Sequence, residues 1–134
     1  MSIVNVRAAL ETALAAIAPA VVTAWENRPL PTVGQTTPYQ IVNILLAEPD
    51  NATYGTEYHE VGYMQIRLMY PQQVGPAAAM TRAQVIRDAF YRGRTVSDSG
   101  TDVIIQRTPE ILPGQNIDGR YQVTVKVRFF AFTA

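Results

Sequence analysis

Apolar and polar residues alternate most strictly in two stretches of this chain. From Gly62 to Tyr70, Met64, Ile66, Leu68 and Tyr70 fall on one face, and Tyr63, Gln65, Arg67 and Met69 on the other. From Arg120 to Phe132, Tyr121, Val123, Val125, Val127 and Phe129 share a face opposite Gln122, Thr124, Lys126, Arg128 and Phe130. A period of two residues predicts a strand with one buried side. Pro71 ends the first strand, because proline has no N–H for a ladder. Two other stretches follow the helical period. Val6, Leu10, Leu14 and Ile17 make one stripe within Ile3 to Ala18, with Arg7 and Glu11 four apart on the wet side and Pro19 as the stop. A second helix opens at Pro76, where a missing N–H costs nothing. It turns Ala79, Ala83, Ile86 and Phe90 inward, leaves Arg82, Arg87 and Asp88 in water, and stops at Gly93.

Weaker signals fill the intervals. Ala20 to Glu26 reads as a strand, and Asn27 to Pro38 as a proline-marked, polyproline-like arm carrying Pro29, Pro31, Gly34 and Pro38. Tyr39 to Ala47 contains the nearly continuous apolar run IVNILLA and reads as a strand covered on both faces. Pro49 to Glu57 is a polar loop. Thr95 to Gly100 bends at Asp98-Ser99-Gly100, Asp102 to Arg107 is a strand, and Pro109 to Gly119 is a loop marked by Pro113, Gly114 and Asp118-Gly119. The order is helix, two strands, a long strand, helix, one or two strands, a long final strand. Each strand and helix with one apolar side buries it against another.

The chain of 134 residues fits a single domain spanning 1–134, and no repeat, low-complexity tract or linker divides it. Without cysteine, disulfides, thiolate metal sites and cysteine nucleophiles are excluded. Eleven basic and eleven acidic side chains cancel. That balance argues against a nucleic-acid binder working through a broad positive field and against a polybasic membrane anchor. The apolar run Ala8 to Val22 is broken by Glu11 and Pro19, too short for a membrane span and unlike a signal peptide.

Candidate chemistry is sparse. His59 is the single histidine, so His59-Glu60 cannot complete a two-histidine zinc motif. None of Ser2, Ser97 and Ser99 lies in a G-x-S-x-G elbow, and the carboxylates are scattered through loops. No glycine-rich phosphate cradle is present. The expectation is a non-enzyme with no catalytic, cofactor-binding or metal-ligating residue. Arg82, Arg87, Arg92 and Arg94 cluster on and after the second helix and read as a solvated face with favourable charge at the helix C-terminus. The non-core faces of the long strands carry Tyr63, Met69, Phe130 and Phe132. Either the chain's own helices or a neighbouring subunit would cover them.

The stretches AWENRPLPTVGQTTPYQIVNILLAEP, HEVGYMQIRLMYPQQVG, DAFYRGRTV, TDVIIQRTPE and DGRYQVTVKVRFFAF, in this order after an N-terminal helix, resemble the tail terminator proteins of long-tailed bacteriophages. The resemblance implies an α+β fold, a mostly antiparallel sheet packed by two helices in the order α-β-β-β-α-β-(β)-β. It implies a homo-oligomeric ring, usually of six, that caps the tail tube, ends its polymerisation and offers a docking surface to the head-completion connector protein. The partners would be other copies of the chain, the tail tube protein and the connector, with no cofactor. The place would be the neck end of the virion tail, after assembly in the host cytoplasm. Tyr63, Arg67, Met69 and Arg128 are candidate subunit contacts, because they project from the non-core faces of the long strands. The loops Asn27 to Pro38, Asn51 to Glu57 and Pro109 to Gly119 would order on contact with tube or connector. A head–tail joining or head-closure protein and a small carboxylate-dependent hydrolase using His59 are the alternatives.

Overall fold

A computed structural model of the chain describes residues 3–29, 32, 34, 36–51, 54–56 and 58–133, the last by its backbone. The elements are α1 (Ile3–Ala15), β1 (Val22–Ala24), β2 (Tyr39–Leu46), β3 (Glu60–Pro71), α2 (Ala77–Ala89), β4 (Thr95–Asp98), β5 (Thr101–Ile105), β6 (Glu110–Ile111), β7 (Gln115–Ile117) and β8 (Arg120–Thr133). The expected α+β class and element order hold. The strands form one sheet in the order β1-β2-β3-β8-β5-β4, with β6 and β7 also paired to β8. Only β1–β2 is parallel; the other pairings are antiparallel.

The two strictly alternating stretches are the two central strands. They pair along the whole of β3, from Glu60↔Ala131 to Pro71↔Arg120. This register puts the inward residues in line: Met64 faces Val127, Ile66 faces Val125 and Leu68 faces Val123, and all six are fully buried. Both helices lie over that side. α1 packs Val6, Leu10 and Leu14 toward β4 and β5, and α2 packs Ala79, Ala83, Ile86 and Phe90 toward β3 and β8. A one-residue slip between β3 and β8 would turn every one of these apolar groups to the opposite face, so burial pins the register.

β8 is bordered differently on its two sides. One side is filled by β3 alone. The other is shared end to end by β7 (against Arg120 to Gln122), β6 (against Val125 and Lys126) and β5 (against Phe129 to Thr133). The predicted loop Pro109 to Gly119 therefore contains two short strands. Between them Leu112 N–H donates to Thr124 O at 2.9 Å, so this edge of β8 is kept paired. Two connections are two residues long with both φ positive: Ser99 (49°) and Gly100 (82°), and Asp118 (49°) and Gly119 (75°). These are the turns whose twist matches antiparallel strands.

Other expectations are corrected. α1 ends at Ala15, three residues early, although Ile17 remains buried. The first strand shortens to Val22–Ala24. β2 is not covered on both faces: Val42 and Ile44 are buried, Ile41 and Asn43 are half-buried, and Leu45 and Leu46 are exposed. Arg82 does not stay in water but is 4% exposed. Pro31 of the expected arm, Glu57 of the polar loop and Ser2 lie outside the described residues.

Candidate functional site

The helices occupy one side of the sheet, so the other side is the surface with something to offer. Its side chains line up in rows set by the register. One row runs Tyr39, Met69, Gln122 and another Ile41, Arg67, Thr124. Asn43, Gln65, Lys126 and Glu110 make the next, followed by Leu45, Tyr63 and Arg128. The last rows are Val61, Phe130, Ile104 and then Phe132, Asp102.

Chemistry changes along these rows. At the Tyr39 end, Arg120 donates from Nη1 to Thr37 O and from Nη2 to Gly34 O, both at 2.6 Å, and its guanidinium stands 5.0 Å from the Tyr39 ring centroid. Arg120 thus reaches from β8 back across β3 and ties the segment before β2 to the sheet. At the far end the surface is aromatic and aliphatic. Phe130 and Phe132 stack with centroids 6.2 Å apart, and the His59 ring lies 6.0 Å from Phe132. Leu45 stands exposed beside Tyr63 in the neighbouring row.

The four candidate contact residues are all on this side of the sheet, but their surroundings differ. Tyr63 is half-buried, and the Lys126 ammonium sits 5.2 Å from its ring centroid. Arg128 lies directly across from Tyr63 and is exposed. Arg67 is half-buried: Nη2 donates to Asn43 Oδ1 at 3.3 Å, and its Nε is buried without a partner. Met69 is only 5% exposed, in a row where the register sets it between Tyr39 and Gln122. It has little area to offer a neighbour, and its side chain belongs to the subunit's own packing.

The arginine cluster read from the second helix is taken apart by the fold. Arg82 Nη1 donates to Pro19 O at 2.6 Å under the sheet. Arg87 Nε donates to Pro109 O at 3.0 Å, and Arg94 Nη1 donates to Ala89 O at 2.6 Å while lying over Phe90. All three fasten backbone carbonyls. Burial pulls the Arg82 guanidinium below its ordinary pKa and pushes the Tyr70 phenol above its own, and their mutual interaction opposes both shifts.

Arg92 alone stays free, and it joins a different group. Arg92, Arg107 and Thr108 line one surface hollow, and Arg107, Thr108, Glu110, Lys126 and Arg128 line the adjoining one. Sequence reasoning missed this group because its members come from four separate segments. The one available signal was that Lys126 and Arg128 share the polar face of the last strand.

His59 and Asp50 meet through reciprocal backbone hydrogen bonds of 2.8 and 2.9 Å. Among the described residues, no three His, Asp or Glu side chains are placed to hold a metal ion, and no helix is long and apolar enough to cross a membrane.

Comparison with known proteins gives one family and one fold. A family model described as phage tail terminator protein matches residues 5–129. No curated protein matches the chain. One solved structure superposes with a TM-score of 0.72 over 100% of this chain and 96% of its own, at 22% sequence identity, a likeness of fold.

Proposed function

Given that this chain belongs to the phage tail terminator proteins, a family of tail structural proteins, we propose that it caps the tail tube, stops its growth and presents the surface on which the head-completion connector docks. Several copies, six in the simplest case, close into a ring at the neck end of the tail. The family match over residues 5–129 carries this reading.

The fold supplies a physical route. All the helices among the described residues sit on one side of the sheet, which leaves the other side with Tyr63, Arg67 and Arg128 turned outward. These residues make subunit contacts, with the Phe130–Phe132 end adding apolar area. The two flanks of the sheet are different surfaces, β1–β2 on one side and β4–β5–β6 on the other. Contact between unlike flanks is heterologous, and it closes into a ring when the rotation per subunit divides a full turn. A zero net charge offers no long-range repulsion to copies coming together.

Electron microscopy of particles assembled without this protein tests the proposal. Tails of abnormal length are the expected result. Tails of normal length lacking heads would instead identify a head–tail joining or head-closure protein.

A further inference from the structure

Charge is unevenly spread over this neutral chain. Arg92 of the α2–β4 connection, Arg107 and Thr108 of the β5–β6 connection, and Lys126 and Arg128 of β8 line two adjoining hollows of about 520 and 290 Å³, with Glu110 as the one carboxylate among the described residues there. Among the described residues, Arg92, Arg107 and Arg128 have no ion-pair or side-chain hydrogen-bond partner. Three guanidiniums that spend no donors inside the subunit form a groove suited to planar, two-oxygen anions such as carboxylates. Like charges lining one groove repel one another, and an arriving anion relieves that repulsion.

The opposite charge lies on the other flank. Glu48 and Asp50 follow β2 and are both exposed, flanking Pro49. The register fixes their level. Leu45 aligns with Tyr63 and Arg128, Ala47 N–H donates to Val61 O, and Val61 aligns with Phe130 and Ile104. The acidic segment therefore stands farther along the strands than the basic groove: Asp50 pairs with His59, past the Glu60↔Ala131 pair, while Arg128 and Lys126 lie three and five residues back from Ala131, an offset of roughly 10–17 Å. They are separated across the sheet by three strand spacings, roughly 14 Å. A second subunit placed side by side in the same orientation and shifted along the strands by that offset brings its acidic segment to the first subunit's groove.

We propose that the groove formed by Arg92, Arg107, Lys126 and Arg128 is the docking site for the acidic segment Glu48-Pro49-Asp50 of a second copy of this chain. The inference rests on the self-assembly proposed above and names its contact. Proline between the carboxylates holds the segment extended, so less conformational freedom is lost on docking. The contact is heterologous, because groove and segment lie on different flanks.

Two charge-reversed proteins test it: Arg107→Glu with Arg128→Glu, and Glu48→Arg with Asp50→Arg. Sedimentation velocity at low salt reads self-association of each alone and of an equimolar mixture. The wild type is expected to associate, and to weaken toward about 1 M NaCl, where the Debye length falls to about 3 Å. Each variant alone is expected to associate at least about tenfold more weakly, because like charges meet at the contact. The mixture is expected to regain association, since each groove then faces a segment of opposite sign. That recovery also shows that both variants are folded. Wild-type association by the first variant alone, or a mixture that stays monomeric, overturns the proposal. A wild type that remains monomeric at low salt overturns it too, and leaves the capping reading to stand on tail length. A short duplex DNA is the second probe. Its retention by the wild type and loss from Arg107→Glu with Arg128→Glu, with self-association unchanged, would assign the groove to phosphodiesters and overturn self-docking.

Discussion

Arg120 of β8 places its guanidinium 5.0 Å from the ring centroid of Tyr39 in β2, although β3 lies between them. The same group holds Gly34 O and Thr37 O, so one side chain joins the last strand to the segment that precedes the second. Arg120→Ala is expected to cost about 1.5–3 kcal/mol in urea unfolding, the range for hydrogen bonds to a charged group. It should also raise proteolytic cleavage in the segment before Tyr39. Arg120→Lys should restore only part of the loss, because an ammonium lacks the planar fork that serves two carbonyls and a ring at once.

Gly62 of β3 is paired with Leu46 of β2. A Cβ there would lie 2.3 Å from Leu45 O, a backbone atom, so one of the two strands would have to shift. Gly62→Ala should therefore destabilise by about 1–3 kcal/mol through overpacking. A chemical-denaturation midpoint equal to that of the wild type would show that β2 can move away freely.

Glu26 guards an edge. Its carboxylate accepts from the Ile44 N–H of β2, beyond the reach of β1, and pairs with Arg7 at 3.2 Å. A negative group lying along an open strand edge discourages another strand from adding there. Glu26→Ala should leave that N–H unsatisfied, lower stability by about 1 kcal/mol and increase light scattering on mild heating. Unaltered scattering would mean that the edge is protected in another way.

Tyr70 sets an alkaline limit. Burial raises its phenol above the ordinary value, with Arg82 pulling the other way. A group with a raised folded-state pKa stabilises fully below its unfolded pKa, and that contribution is lost as pH rises through the folded one. The melting temperature should hold near about pH 8 and fall steeply beyond about pH 10. Tyr70→Phe should flatten that fall. An equal alkaline decline in Tyr70→Phe would place the loss elsewhere.

Arg67 tests the outward side of the sheet. Arg67→Glu reverses a charge in the row Ile41, Arg67, Thr124. Size-exclusion chromatography with light scattering should show a smaller assembled mass. An unchanged mass would remove Arg67 from the subunit contact.

The long strands and both helices could be read from the chain because burial on one side imposes a period, and β3 and β8 keep it over their length. β6 and β7 could not be read by period, since two or three residues hold no repeat. Their trace was Asp118-Gly119, a hairpin signal that reads equally as a loop when the incoming strand is only Gln115–Ile117. Arg82 looked like a solvated helix residue because charge alone does not reveal a buried carbonyl waiting at Pro19. Met69 had the right parity for an outward residue; Tyr39 and Gln122 reach its two sides only when the strands pair, and it is buried there. The basic groove escaped for a similar reason. Arg92, Arg107 and Arg128 become neighbours only when β5 and β6 line up along one edge of β8.

The position of β8 has a consequence for how the chain acquires its shape during synthesis. β8, made after both β3 and β5, is the strand that joins them, and among the described residues no other pairing links those two parts of the sheet. Until residues 120–133 have been made, β1–β2–β3 and β4–β5 are the strand groups that can pair, each with an unpaired border of its own. Such borders invite wrong partners while they wait. A stop codon placed shortly before Arg120 would therefore yield an aggregating fragment, not a smaller version of the same protein.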